Sequence, residues 1–107
     1  MRLESNLENV MSEIDSFEWN LYAYIYPDNS ICMSSLILII DDAEEERGDD
    51  DEPIYPVAKG YKSFLSVADL QSIKSNLLEQ KPDYSQNELL SAVMHYYEND
   101  AFILINS

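Results

Sequence analysis

The sequence has few of the residues that build catalytic, metal-binding and phosphate-binding sites. Its 107 residues include one histidine, one cysteine and two glycines. A single histidine cannot form a His-based metal cluster, and two glycines do not make a glycine-rich phosphate cradle. Cys32 and His95 are a conceivable nucleophile and base, but no motif surrounds either residue. The sequence therefore predicts that the protein is not an enzyme, with no catalytic residue, no cofactor and no metal.

The sequence also lacks the features of secreted and membrane proteins. A lone cysteine excludes an internal disulfide, whereas small secreted proteins often rely on several. No apolar segment typical of a secretory signal follows Met1 and Arg2. The longest apolar run, residues 36–40, is far shorter than the roughly 20 residues needed to span a bilayer. We therefore expect a cytoplasmic protein that does not bind membranes.

Positive charge is scarce as well. Six Lys and Arg residues stand against 21 Asp and Glu residues, which gives a formal net charge of −15. Residues 1–55 hold fifteen of the acids and only Arg2 and Arg47 as cations. Such a chain is repelled by nucleic-acid backbones and by anionic membrane surfaces. We therefore expect no direct nucleic-acid binding and a basic protein as the partner.

The first half of the chain predicts one helix and two strands. Residues 2–15 place apolar side chains at helical spacing, which indicates an amphipathic helix. Residues 21–27 alternate between apolar residues and tyrosines, as a strand does. Residues 35–41 are apolar on both faces, which is typical of a central strand. The short connection between the two strands predicts an antiparallel hairpin.

The second half predicts two helices and two further strands. The two prolines and the glycine within residues 53–60 exclude a regular helix there, and residues 61–66 form a short strand. Ser66 and Ser85 each precede a helix, and an acidic residue three positions later completes a capping-box pattern. The apolar residues 101–106 predict a last strand that docks into the sheet and is shielded by a helix.

These elements predict one α+β domain over residues 1–107, with a small, mostly antiparallel sheet and about three helices packed on it. An acidic loop at about residues 41–53 follows the central strand. Within residues 41–52 it carries one arginine and nine carboxylates. The predicted partner-binding residues are these nine: Asp41, Asp42, Glu44, Glu45, Glu46, Asp49, Asp50, Asp51 and Glu52.

Three interpretations apply to this acidic loop. Its oxygens lack the spacing around a glycine turn that a calcium site requires. A charge run is usually a solvated loop that keeps a protein soluble. Nine mutually repelling carboxylates also destabilise a fold, and binding to a cationic partner compensates for that repulsion. We therefore favour a docking surface over a solvated loop.

The tyrosines allow two interpretations. Tyr22, Tyr24 and Tyr26 share one face of a predicted strand, and Tyr96 and Tyr97 are adjacent on a predicted helix. Aromatic side chains at alternating strand positions usually face a core, but they are also enriched at binding hot spots. We expect one tyrosine face to belong to the core.

Four segments of the sequence together resemble a known family. They are "EWNLYAYIYP", the acidic loop, "QKP" after a helix, and "LLSAVMHYYENDAFI". The chain resembles small acidic bacterial proteins that include immunity proteins of contact-dependent growth inhibition. The resemblance spans nearly the whole chain and is closest over residues 85–103. It implies a cytoplasmic inhibitor that binds the C-terminal toxin domain of a CdiA-type effector, commonly a nuclease, and blocks its active site.

The charge of the chain agrees with this implication. A nuclease attracts phosphates with lysine and arginine, so a carboxylate-rich surface can occupy its basic cleft as a competitor. The leading hypothesis is an immunity protein against a nuclease toxin, with a tRNase as one candidate. The alternative is an acidic nucleic-acid mimic that inhibits a restriction enzyme or another DNA-binding enzyme. Mimics spread charge in rows, whereas this chain concentrates it in one loop.

Overall fold

A four-stranded antiparallel sheet forms the centre of the protein in a computed structural model, which describes residues 2–27, 30–49 and 51–104. The strands are β1 (Arg2–Asn6), β2 (Tyr22–Ile25), β3 (Leu36–Ile40) and β4 (Lys62–Ser66). Their order across the sheet is β1-β3-β2-β4, and each neighbouring pair is antiparallel. The predicted antiparallel pairing of β2 with β3 and the predicted short strand at β4 are confirmed.

The described residues also form four α-helices. These are α1 (Leu7–Ser12), α2 (Ile54–Ala58), α3 (Val67–Gln80) and α4 (Gln86–Asn99). Short 3-10 turns lie at Ile14–Ser16 and Asp42–Glu44. The chain is therefore a single α+β domain, as the sequence predicts. Within the described residues, no helix is long and apolar enough to cross a membrane.

The main core lies between one face of the sheet and the three helices α1, α3 and α4. Ala23, Ile25, Ile37 and Ile39 point from β2 and β3 into this core and are fully buried. The helices contribute their apolar stripes to the same cluster: Leu7, Val10, Met11, Leu70, Ile73, Leu77, Leu89 and Val93. Burial of such side chains is the largest stabilising contribution to a domain of this size.

A second, smaller core lies on the opposite face of the sheet. Tyr24, Leu38 and Ile40 are buried there, and Tyr55 of α2 packs against them with Tyr61. Successive side chains of a strand point to opposite faces, so β3 supplies apolar residues to both cores. The prediction that this strand is central and covered on both sides is confirmed.

The serine caps predicted for α3 and α4 are both present. The Ser66 hydroxyl accepts a hydrogen bond from the backbone N–H of Asp69 at 3.0 Å. At α4 the capping box is complete, because Ser85 accepts from the N–H of Glu88 and the Glu88 carboxylate accepts from the N–H of Ser85. These bonds satisfy N–H groups that a helix leaves unpaired at its start.

The helix predicted over residues 2–15 is wrong in its first third. Arg2–Asn6 is a strand, and it pairs with β3 along all five of its residues. Leu3 and Leu7 fit a helical stripe, but they also fit a strand followed by a helix. The change occurs at Asn6, whose side chain accepts a hydrogen bond from the N–H of Asn9 at 2.8 Å. Pairing with β3 outweighs local helix propensity there.

The exclusion of a helix from residues 53–60 is wrong. α2 occupies Ile54–Ala58, and Pro56 is its third residue. The first turn of a helix has no intrahelical partner for its N–H groups, so a proline there removes no hydrogen bond. Gly60 then ends the segment with a left-handed φ of 87°, which glycine adopts without strain.

The predicted C-terminal strand is wrong for residues 101–104, whereas Ile105 and Asn106 lie outside the described residues. Asp100 adopts a left-handed conformation with φ 54° and turns the chain at the end of α4. The Phe102 ring then lies 5.4 Å from the Tyr96 ring, and Gln80 donates a hydrogen bond to the carbonyl of Ile103 at 2.8 Å. The apolar end of the described chain therefore packs on the helices and forms no strand of the sheet.

Candidate functional site

The acidic loop leaves the end of β3 in a tight turn. The Asp41 carboxylate accepts a hydrogen bond from the N–H of Ala43 at 3.1 Å, and its carbonyl accepts one from the N–H of Glu44 at 3.0 Å. Aspartate commonly forms such local bonds with the backbone that follows it. The first residues of the loop are therefore folded directly after the strand.

Glu45 anchors the middle of the loop to the first strand. The Nε and Nη2 atoms of Arg2 donate to the two oxygens of the Glu45 carboxylate, each at 3.1 Å. The guanidinium carbon also lies 3.9 Å from the centroid of the Tyr55 ring, a cation–π contact. The hydrogen bonds to Glu45 raise the pKa of Arg2. Arg2 thus joins β1, the loop and α2.

The second half of the loop is a small hairpin. An antiparallel bridge joins Arg47 to Pro53, and the N–H of Gly48 donates to the carbonyl of Glu52 at 2.9 Å. Asp51 adopts a left-handed φ of 62°, and its carbonyl accepts a hydrogen bond from Nη1 of Arg47 at 2.8 Å. Aspartate is one of the few non-glycine residues that enter this region routinely. The described backbone of the hairpin is therefore held by its own hydrogen bonds.

The predicted partner-binding carboxylates do not form one uniform surface. Glu45 is only 4% exposed in its side chain, because Arg2 covers it. Asp41 is half-buried. Asp50 and the side chain of Asp42 lie outside the described part of the chain. The remaining five predicted residues are exposed: Glu44, Glu46, Asp49, Asp51 and Glu52.

A cleft extends the acidic surface beyond the loop. Its volume is about 360 Å³, and its lining includes Phe17, Glu18, Asp41 and Glu44. Trp19, the neighbour of Glu18 in sequence, is 72% exposed. Exposed tryptophan beside charged groups is typical of protein interfaces. The tertiary fold therefore brings Phe17 and Glu18 next to Asp41 and Glu44 of the acidic loop.

Cys32 and His95 have different hydrogen-bond partners. The thiol of Cys32 lies 3.1 Å from the Ser34 hydroxyl, and hydrogen bonds from Ser34 and then Ser35 lower its pKa. Nδ1 of His95 lies 3.5 Å from the side-chain nitrogen of Asn99. Across residues 2–27, 30–49 and 51–104, no group of three His, Cys, Asp or Glu residues is arranged to hold a metal ion.

The tyrosines divide between core and surface. Tyr24 is buried in the second core, and the half-buried Tyr22 shares a hydrogen bond of 2.8 Å with Ser63. Tyr26 is exposed. Tyr96 donates to the Asp69 carboxylate at 3.2 Å, and Tyr97 packs on the core. The expectation that one tyrosine face belongs to the core is confirmed for Tyr22 and Tyr24.

Sequence reasoning does not find two apolar residues that lie next to the acidic loop. Ile54 and Val57 lie on the outer side of α2, directly beside the hairpin, and about half of each remains exposed. The prolines of this segment argue against a helix, so the sequence does not place the two residues on one side of a helix. The available signal was the run of apolar residues that directly follows nine carboxylates in twelve positions.

The fold and the loop together define a small α+β domain whose acidic loop, over its described residues, is joined to β1 and closed by backbone hydrogen bonds. The chain belongs to a family described as a domain of unknown function, DUF7716, which matches residues 4–105. No curated protein and no solved structure matches the chain.

Proposed function

We propose that the protein is an immunity protein that neutralises the nuclease toxin domain of a contact-dependent growth inhibition effector. It binds the basic active site of the toxin and blocks the access of nucleic acid. The observation that carries this proposal is the acidic loop, whose exposed carboxylates project from a backbone that is already folded. The four sequence segments that resemble such immunity proteins support the same function.

The order of the loop favours inhibition by occlusion. A nuclease cleft binds phosphates through lysine and arginine side chains, so it is complementary to a dense group of carboxylates. The hairpin and the Arg2–Glu45 ion pair hold the described loop backbone before binding. A preorganised surface loses less conformational entropy when it binds. The protein therefore needs no catalytic group in order to compete with a nucleic acid.

The net charge of −15 contributes to the rate of binding. Complementary charge speeds diffusional association, and salt screens it over roughly 10 Å at 0.1 M. An inhibitor that must reach a toxin before the substrate does benefits directly from such steering. The dependence of the association rate on salt is therefore a measurable property of the proposed function.

The alternative function, an acidic nucleic-acid mimic, makes a different geometric demand. A duplex mimic needs carboxylates in rows at the spacing of phosphates. In the described part of the chain, three of the five exposed acids of the loop, Asp49, Asp51 and Glu52, lie in one hairpin between Arg47 and Pro53. This compact group suits one specific cleft better than a general DNA-binding surface.

The test first asks whether a large secreted effector is encoded directly upstream of the gene for this protein, and then uses the C-terminal domain of that effector as the toxin. We expect a one-to-one complex in light scattering after size exclusion, and loss of nuclease activity at one molar equivalent. Stopped-flow association should slow as the ionic strength rises. An unrelated basic nuclease is the control, because a general mimic would inhibit it too. Full toxin activity at a large molar excess of the protein would refute the proposal.

A further inference from the structure

The outer side of α2 presents apolar side chains beside the acidic hairpin. The inner side of the helix carries Tyr55, which packs on the second core, and the buried Pro56. On the outer side, Ile54 is 47% exposed and Val57 is 48% exposed. The fold therefore leaves two large branched apolar residues in solvent within the most acidic region of the chain.

These residues line a concave surface. We call it the α2 groove; it has a volume of about 210 Å³ and is lined by Gly48, Glu52, Pro53, Ile54, Val57 and Ala58. One wall belongs to α2, and the other belongs to the hairpin of the acidic loop. Among the described residues of this lining, Glu52 carries a charge and the other five do not. The groove has the shape and the polarity to hold an apolar side chain.

The surroundings of the groove are strongly negative. Asp49, Asp51 and Glu52 are exposed along its hairpin wall. On the other side of Ile54 and Ala58, a second concavity of about 430 Å³ is lined in part by the exposed Glu44 and Glu46, beside the pair that Arg2 forms with Glu45. An occupant of the α2 groove is therefore flanked by carboxylates on both sides.

We propose that the α2 groove binds a polypeptide segment of the partner in which one apolar side chain lies between lysines or arginines. The apolar side chain fills the groove, and its cationic neighbours contact the carboxylates around it. This inference rests on the proposed function and deepens it, because it separates two contributions to binding. The acidic loop accelerates association, whereas the groove slows dissociation.

Charge complementarity selects this occupant over the other candidates. A nucleic acid is repelled by the carboxylates around the groove. A second copy of the chain carries the same net charge of −15, so its approach is opposed by electrostatic repulsion. A partner segment with an apolar centre and positive flanks satisfies both features of the surface.

The test uses two short synthetic peptides as probes. Both contain the same number of lysines and arginines, but one has Leu-Phe at its centre where the other has Ser-Ser. Each is titrated into the isotope-labelled full chain, and amide NMR shifts report affinity and location. We expect the Leu-Phe peptide to bind about tenfold more tightly and to shift the amides around Ile54 and Val57.

Two variants complete the design. Val57→Ser should abolish the preference for the Leu-Phe peptide and leave the affinity for the Ser-Ser peptide unchanged. Leu78→Ser is the matched control, because Leu78 of α3 is 49% exposed and lies outside the groove. It should preserve the preference. Because both side chains are about half exposed, we expect both variants to remain folded. A thermal melt of each variant checks this.

Each outcome of the titration has one meaning. Equal affinity for the two peptides would overturn the groove as a binding site but leave the acidic docking surface intact. Binding of neither peptide would overturn the groove as a binding site, whereas the proposed function is decided separately by inhibition of the toxin. A concentration-dependent dimer in sedimentation that Val57→Ser dissociates would show that a second copy occupies the groove, which also overturns the inference.

Discussion

Arg2 and Glu45 are 43 positions apart in the chain, yet the guanidinium holds both oxygens of the carboxylate at 3.1 Å. The Glu45 side chain is almost fully covered, whereas half of the Arg2 side chain remains exposed. A covered carboxylate needs a partner, because a buried charge without one is strongly unfavourable. The edge strand β1 therefore fixes the path of the acidic loop.

The first prediction tests this anchor. Arg2→Ala should lower the melting temperature and speed hydrogen exchange at the amides of Glu45, Glu46 and Arg47, because Glu45 loses its partner. Lys62→Ala is the control, since it also removes one exposed cation from an edge strand. If both variants left loop exchange at the wild-type rate, the ion pair would not hold the loop.

The second prediction concerns the exposed acids of the hairpin region. Replacing Glu46, Asp49, Asp51 and Glu52 with their amides should slow association with the toxin domain by roughly tenfold at low salt, because the steering charge is lost at the interface. Asn at position 51 tolerates the left-handed backbone as Asp does, so the hairpin should persist.

The matched control for this prediction removes the same charge elsewhere. Its substitutions convert four exposed glutamates on the helices and the adjoining turn: Glu8→Gln, Glu13→Gln, Glu79→Gln and Glu98→Gln. Its association rate should fall much less. An equal decrease in the two variants would place the interface outside the hairpin, with Tyr26 and Trp19 as the next residues to substitute.

The third prediction concerns acid stability. Lys81 lies 2.8 Å from the Glu88 carboxylate, and this hydrogen bond, followed by the bond from the backbone of Ser85, lowers the pKa of Glu88 below its ordinary 4.5. A carboxyl group with a depressed pKa stabilises the fold above its unfolded-state pKa, and the contribution is lost as pH falls through the folded-state pKa.

The measurement is the melting temperature between about pH 2 and pH 5. The wild type should lose stability over this range more steeply than Glu88→Gln, which cannot titrate at that position. Lys81 behaves oppositely, because the same bond raises its pKa above the ordinary 10.5, and its contribution is lost only as pH rises through the raised folded-state pKa. Parallel acid slopes for the two proteins would contradict the assignment.

The fourth prediction concerns the C-terminal segment. Deleting residues 102–107 removes the Phe102–Tyr96 contact and the packing of Ile103 on the core, but it removes no strand of the described sheet. We expect a loss of roughly 2 kcal/mol in the free energy of unfolding, with cooperative unfolding retained. Aggregation of the truncated chain would show that this segment is essential to the fold.

The strand β3 and the start of α4 are specified by local patterns, and both were predicted correctly. Apolar residues on both faces indicate the central strand β3. The start of α4 is indicated by Ser85 and Glu88, whose capping hydrogen bonds lie within four residues. β1 carries no such signal, because the spacing of Leu3 and Leu7 is compatible both with one continuous helix and with a strand followed by a helix. Its pairing with β3, more than thirty positions away, decides the outcome.

The position of the acidic loop was predictable from the sequence, but the contacts of its residues were not. A run of nine carboxylates marks the loop in sequence. Glu45 contacts Arg2, whereas Glu46 is exposed to solvent. This difference depends on the path of the loop relative to β1. The placement of Ile54 and Val57 on one side of α2 depends on a helix that the two prolines of this segment argue against. Non-local contacts therefore separate the structural acids of the loop from the exposed ones.

The division of the loop between anchored and exposed residues has a consequence for evolution. Glu45 is held by Arg2 of β1 and Tyr55 packs on the second core, so substitutions there disturb contacts with the sheet. Asp49 and Glu52 project outward, and their replacement alters the surface while the backbone bonds of the hairpin persist. Under the proposed function, a lineage that meets a new toxin can therefore diversify the hairpin one substitution at a time while the contacts of the loop with the sheet are kept.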